Sequence, residues 1–174
     1  MKESLLAYFE GERNGGLVLA AVGVCGVVFA GVLSMERWNL RTFAIALAVI
    51  ALLELGLGVG LYVKTGPQLA GLVDKLASEP ASFYASEAAR MAKVQRNFVW
   101  LEVLWVLLAL GAGLLAVFKK THPTPLGIGM ALAMHATVFL AFDLVAERRG
   151  ALYYAALQEP GKPAKVIKRN PYDD

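Results

Sequence analysis

The sequence predicts an all-α polytopic membrane protein: a four-transmembrane-helix bundle with both termini in the cytoplasm. Three observations carry this. Apolar residues are in excess, they gather in four blocks of membrane-spanning length, and Lys and Arg fall almost wholly on one side of those blocks. Of 174 residues, 57% are apolar, and the mean hydropathy is +0.55. Soluble domains stand nearer about 45–50%, so the surplus must face something other than water. The blocks are Gly15–Leu33, Phe43–Val63, Phe98–Phe118 and Leu126–Val145. Each is about 20 residues long, the length a helix needs to cross a hydrocarbon core of about 30 Å. The hydrophilic remainder is too small to cover four buried helices of this length, which argues against a soluble fold.

The first block reads as a retained helix. Its leader, residues 1–14, is a cytoplasmic segment in which Glu3, Glu10 and Glu12 oppose Lys2 and Arg13, where a signal peptide carries a positive segment. A lone Cys25 excludes an intramolecular disulfide.

Thirteen of the seventeen Lys and Arg lie in the N-terminal segment, the loop 64–97 between the second and third blocks, and the C-terminal region. Arg37, Arg41, Lys119 and Lys120 make up the other side. Positive charge is retained in the cytoplasm, so both ends and the loop 64–97 are placed inside, in a cell's inner (plasma) membrane. Trp38, Tyr62 and Trp100 fall at block ends, where interfacial aromatics sit. The net charge of +3 follows from this topology and from anionic lipid. The partners expected are the bilayer and either a second copy or another membrane protein. No basic, aromatic surface argues for nucleic acid.

Thr65-Gly66-Pro67 ends the second span on this reading. Pro67 opens a short helix through Ala77, whose Leu69, Leu72, Val73 and Leu76 face the inner membrane surface. Pro80 then starts a third helix without a Gly or Pro until Gly111, continuous from about Ala81 to Lys120. After the outer turn at Pro123 and Pro125, the fourth helix runs from Leu126 to Leu157, and residues 160–174 form a polar, basic tail. Helices three and four therefore extend into the cytoplasm as a paired stalk. With residue numbers at one level summing to about 244, Glu102 meets Asp143, Arg96 meets Glu147 and Arg148, and Arg90 approaches Tyr153 and Tyr154. These inner-leaflet groups are the expected ion-pair network.

Charges inside a span cost roughly 2.5–3.5 kcal/mol at the centre, so each needs a reason. Glu54 shares a face with Ala44, Ala48, Ala51 and Gly58; Glu102 with Ala109, Gly113 and Ala116; Asp143 with Gly129, Ala133 and Ala136. Small-residue stripes admit a neighbouring helix, so all three acids are expected to point into helix interfaces. Cys25, Glu54 and His135 lie at similar mid-span depth. Their convergence would make a proton relay or metal site; the bland alternative is a hydrogen bond from a neutral Glu54 to a backbone group or His135. Paired-histidine haem is excluded, since His122 lies in the outer turn. No metal or cofactor is expected. Gly56 and Gly60 form a GxxxG packing signature.

The stretch Arg90–Asn97 resembles the arginine-and-asparagine motif of the glutathione-using MAPEG membrane enzymes. There the motif opens the second span; here it precedes the third, with the following acid, Glu102, displaced. The size and four-span layout are similar to colicin-type immunity proteins in architecture alone. The sequence presents no nucleophile–base pairing, phosphate loop or metalloprotease spacing. The expectation is a non-enzymatic membrane protein acting through helix and stalk contacts, in assembly, regulation or immunity. The alternatives are an oligomeric channel or proton- or cation-linked transporter using Glu54 and His135, and a lipid-directed enzyme working near Glu102 and Asp143.

Overall fold

The computed structural model describes residues 1–36, 40–118 and 122–159. The segment 160–174, Arg37, Trp38, Lys119 and Lys120 lie outside the described residues. Four helices make up the rest: α1 (Lys2–Glu36), α2 (Arg41–Ser78), α3 (Pro80–Phe118) and α4 (Pro123–Gln158). All four contain a stretch long and apolar enough to cross a membrane. At 35 to 39 residues each, the helices are about 53–59 Å long at helical rise, well beyond a bilayer's apolar thickness.

The extra length lies at one end, here called the polar end, and two features there differ from the sequence reading. Residues 2–14 are the first turns of α1. The connection over 64–97, expected to hold a short helix from Pro67 to Ala77 and the start of the third helix at about Ala81, is helical except at Glu79. Pro67 does not open a new helix, because α2 runs through it. Proline removes the one donor that would bond the Val63 carbonyl. One half-turn earlier Thr65, itself buried, donates its hydroxyl to the Leu61 carbonyl at 2.6 Å. The corner between α2 and α3 is the single residue Glu79, whose N–H donates to Lys75 O at 2.9 Å. Proline at the start of α3 and of α4 suits a position where no intrahelical donor is needed.

Two antiparallel hairpins, α1–α2 and α3–α4, pack side by side, chiefly through α2 against α4. Glycine permits the closest approaches. A Cβ on Gly23 would lie 2.7 Å from the Ala51 carbonyl, and one on Gly129 would lie 2.7 Å from the Ala112 carbonyl. Such contacts exist only where backbones meet without side chains between them. Gly56 and Gly60 take no part: a Cβ there meets nothing within 4 Å. The packing signature thus faces outward, while Gly58, between those two glycines, lies against α1 at Gly16 and Ala20.

The side-chain core sits at the polar end. Leu5, Tyr8 and Phe9 of α1, Phe83 and Met91 of α3, and Tyr153 and Leu157 of α4 form one buried cluster. Leu69, Leu72, Val73 and Leu76 of α2 pack against it. That stripe was expected on the membrane surface. It covers the aromatic core because α1 is helical from Lys2 and brings Leu5 and Phe9 to the same level. The projection is therefore a four-helix bundle end, where a two-helix stalk of α3 and α4 was expected.

Candidate functional site

Three polar levels are stacked along the bundle, each bridging helices within its interior. The first, furthest from the polar end, lies halfway along the apolar stretches of α2 and α4. Small residues on α2, with Ala44, Ala51 and Gly58 buried beside it, let Glu54 reach α4. There Glu54 Oε1 and His135 Nδ1 are 2.7 Å apart, with the two residues 0% and 4% exposed. The bond can run in either direction, a carboxyl O–H donating to Nδ1 or an Nδ1–H donating to a carboxyl oxygen, according to the imidazole tautomer. Nε2 and Glu54 Oε2 are buried without a hydrogen-bond partner. Buried orphans of this kind cost about 1–3 kcal/mol each and call for an explanation. Cys25 is exposed and does not join them, so the pair supplies two donors where a structural zinc ion takes four. Among the described residues no three metal-ligating side chains of this kind converge.

The second level corrects the expected ion-pair network. Asp143 Oδ2 accepts from the Trp105 indole N–H at 2.6 Å, and the Trp105 ring stacks on Phe139 at 4.8 Å. Glu102 does not take this place. It is half-buried, with Oε1 sealed from solvent and unpartnered. Trp105 sits one turn further along α3 than Glu102, close enough in register to reach Asp143 and long enough to bridge to it. Arg96 and Arg148 are exposed and Glu147 is half-buried, and among the described residues no ion pair joins them to one another or to the two acids. It is Arg149 that enters the bundle. Its side chain lies against Gly11 and Gly15 of α1, where a Cβ on Gly11 would come 2.8 Å from the Arg149 Cδ.

The third level belongs to the polar end. Glu87, 2% exposed, accepts two hydrogen bonds from Arg90, 2.8 Å from Nε and 2.7 Å from Nη2. The Tyr153 hydroxyl donates to the same carboxylate at 3.1 Å. Tyr153 stacks on Tyr8 at 4.9 Å, and Tyr8 donates to Glu12 at 2.6 Å. Burial raises the pKa of both phenols, and the neighbouring carboxylates, Glu12 for Tyr8 and Glu87 for Tyr153, add to it. For Arg90, burial acts to lower the pKa, but the bonds and charge of Glu87 outweigh it and the net shift is upward. The expected approach of Arg90 to Tyr153 thus occurs through Glu87. Glu87 was missed by the sequence reading. Its signal was its place between Phe83 and Met91, at steps of four on a buried stripe, with Arg90 one turn on.

No protein-family model matches this chain, and neither a curated protein nor a solved structure shows significant similarity to it.

Proposed function

We propose that the chain is a multi-pass protein of the cell's inner membrane, with both ends cytoplasmic, that acts without catalysis through contacts its helices and bundle end make with other membrane proteins. The orientation rests on the thirteen Lys and Arg that the polar end and tail collect. The observation that carries the contact reading is that the buried acids of all three levels are engaged with partners of their own chain: Glu54 with His135, Asp143 with Trp105, Glu87 with Arg90 and Tyr153. Interior chemistry spent on internal bonding leaves the outer surface for recognition. The widest such surface is α3, of whose most apolar stretch 6% is buried, against 22–28% for the other helices.

The test places a photo-crosslinking residue at Leu107 or Leu110 on α3 in native membranes. The expected result is a discrete protein adduct, retained in Glu54→Gln. Adducts to lipid alone would overturn the contact reading.

A second reading is favoured by one observation. Glu54 Oε2 and His135 Nε2 are unpartnered at mid-depth, as groups on a proton or cation path would be. Under this reading, reconstituted protein conducts protons across liposomes and Glu54→Gln abolishes it.

A further inference from the structure

At the boundary between the apolar stretch and the polar end, α1 and α2 border an open surface cleft of ≈ 360 Å³ lined by Glu10, Arg13, Asn14, Leu17 and Tyr62, the first four of them exposed. We infer that this cleft binds the headgroup of an aminophospholipid, with its phosphate on Arg13 and Asn14 and its primary ammonium on Glu10.

The level is that of a headgroup. Arg13 comes two residues before the first apolar block, and Tyr62 is the last residue but one of the second. Arg13 is held ready: its Nη2 donates to the Tyr62 hydroxyl at 2.5 Å, and its guanidinium lies 4.5 Å from that ring's centroid. A guanidinium has five N–H donors in a rigid fork, so one bond to Tyr62 leaves donors for a phosphate. The clamp also keeps Arg13 off the neighbouring carboxylate. Among the described residues no ion pair joins Glu10 to Arg13, although they are one helical turn apart. Glu12, the other acid of this turn, is occupied by Tyr8.

The order of groups along α1 is the order of groups along such a lipid. Glu10 lies about 4.5 Å further from the apolar zone than Arg13 at helical rise, and Leu17 lies about 6 Å deeper. Beyond Leu17 the same face continues through Ala21 and Val24, both exposed, a track for an acyl chain. Carboxylate, guanidinium and apolar track thus match ammonium, phosphate and hydrocarbon in sequence. A trimethylated headgroup offers Glu10 no N–H donor, and a glycerol headgroup offers it no cation. The inference needs the chain in a bilayer but is independent of the contact function proposed above.

Native mass spectrometry of the full chain in detergent tests it, with phosphatidylethanolamine, phosphatidylcholine and phosphatidylglycerol of matched acyl chains as probes. Phosphatidylethanolamine is expected to be retained about tenfold over the other two, the size of one charge-assisted hydrogen bond. Glu10→Gln should erase that preference, and Arg13→Ala should weaken all three lipids. Arg13→Lys should weaken them less, and Arg148→Ala, on the exposed face of α4, should change nothing. The site is overturned if phosphatidylethanolamine shows no preference, if the preference survives in Glu10→Gln, or if inorganic phosphate displaces the lipid. Failure of the membrane reading is a separate result, seen as wild-type protein that stays dissolved without detergent or lipid.

Discussion

Glu54 and His135 meet at 2.7 Å between α2 and α4, and through them the two hairpins are hydrogen-bonded to each other in the middle of the apolar zone. The residues are 81 apart in sequence, so the bond reports correct assembly of the whole bundle.

Truncating one partner should be worse than removing both. Glu54→Leu leaves a buried imidazole unpaired and is expected to cost about 1–3 kcal/mol. Glu54→Gln, which retains a hydrogen-bonding group, should cost less. The double variant Glu54→Leu/His135→Leu should recover part of the loss, because two apolar groups replace two polar ones. Thermal unfolding in detergent, followed by circular dichroism, gives the cycle. Additive losses would show that the pair does not act as a unit.

At the polar end, Arg90→Ala is expected to be more damaging than any single change at the exposed arginines Arg96 or Arg148. It strands Glu87, which is 2% exposed, as a buried charge, and breaking a pair of this kind costs about 3–5 kcal/mol. Glu87→Gln removes the charge along with the ion pair and should be milder. The comparison can be made by chemical denaturation, provided the unfolding midpoint is read from the tyrosines of that core.

Alkaline pH should loosen the same region. The pKa values of Tyr8 and Tyr153 are raised in the folded state above the ordinary 10.0, so the fold favours the protonated phenols. Their contribution to stability is complete below pH 10 and is lost as pH rises beyond it. The melting temperature should fall above pH 10, and Tyr8→Phe/Tyr153→Phe should flatten that fall. An unchanged alkaline slope in the double variant would assign it to other groups.

The glycines divide into two classes. Gly23→Ala and Gly129→Ala place a methyl against backbone carbonyls and should destabilise by about 1–3 kcal/mol. Gly56→Ala and Gly60→Ala meet open space within the chain and should be neutral or stabilising by up to about 1 kcal/mol through helix propensity. If Gly56→Ala or Gly60→Ala instead alters the oligomeric state in detergent, that outward face is a contact with a second copy.

Much of the architecture was readable because hydropathy and proline position act locally. Four apolar blocks became four helices, and the antiparallel register of α3 and α4 is close to the expected one. Gly150 faces Gln95, and Asp143 reaches Trp105. The small-residue stripe around Glu54 correctly turned it inward. The errors came where a local signal had two outcomes. Pro67 can start a helix or be carried within one, and the stripe from Leu69 to Leu76 can cover lipid or protein. Which one holds depended on α1 being helical from Lys2, a fact remote in sequence.

By itself, then, the sequence determined the number of helices, their apolar lengths and the one-sided spread of positive charge, since each follows from transfer energies of consecutive residues. Only the tertiary structure decided which polar groups meet: His135 but not Cys25 for Glu54, Trp105 in place of Glu102 for Asp143, and Tyr153 through Glu87 for Arg90. Depth along a helix is fixed by counting residues, whereas rotation about its axis and the choice of neighbour are set by close packing of glycine faces from distant parts of the chain.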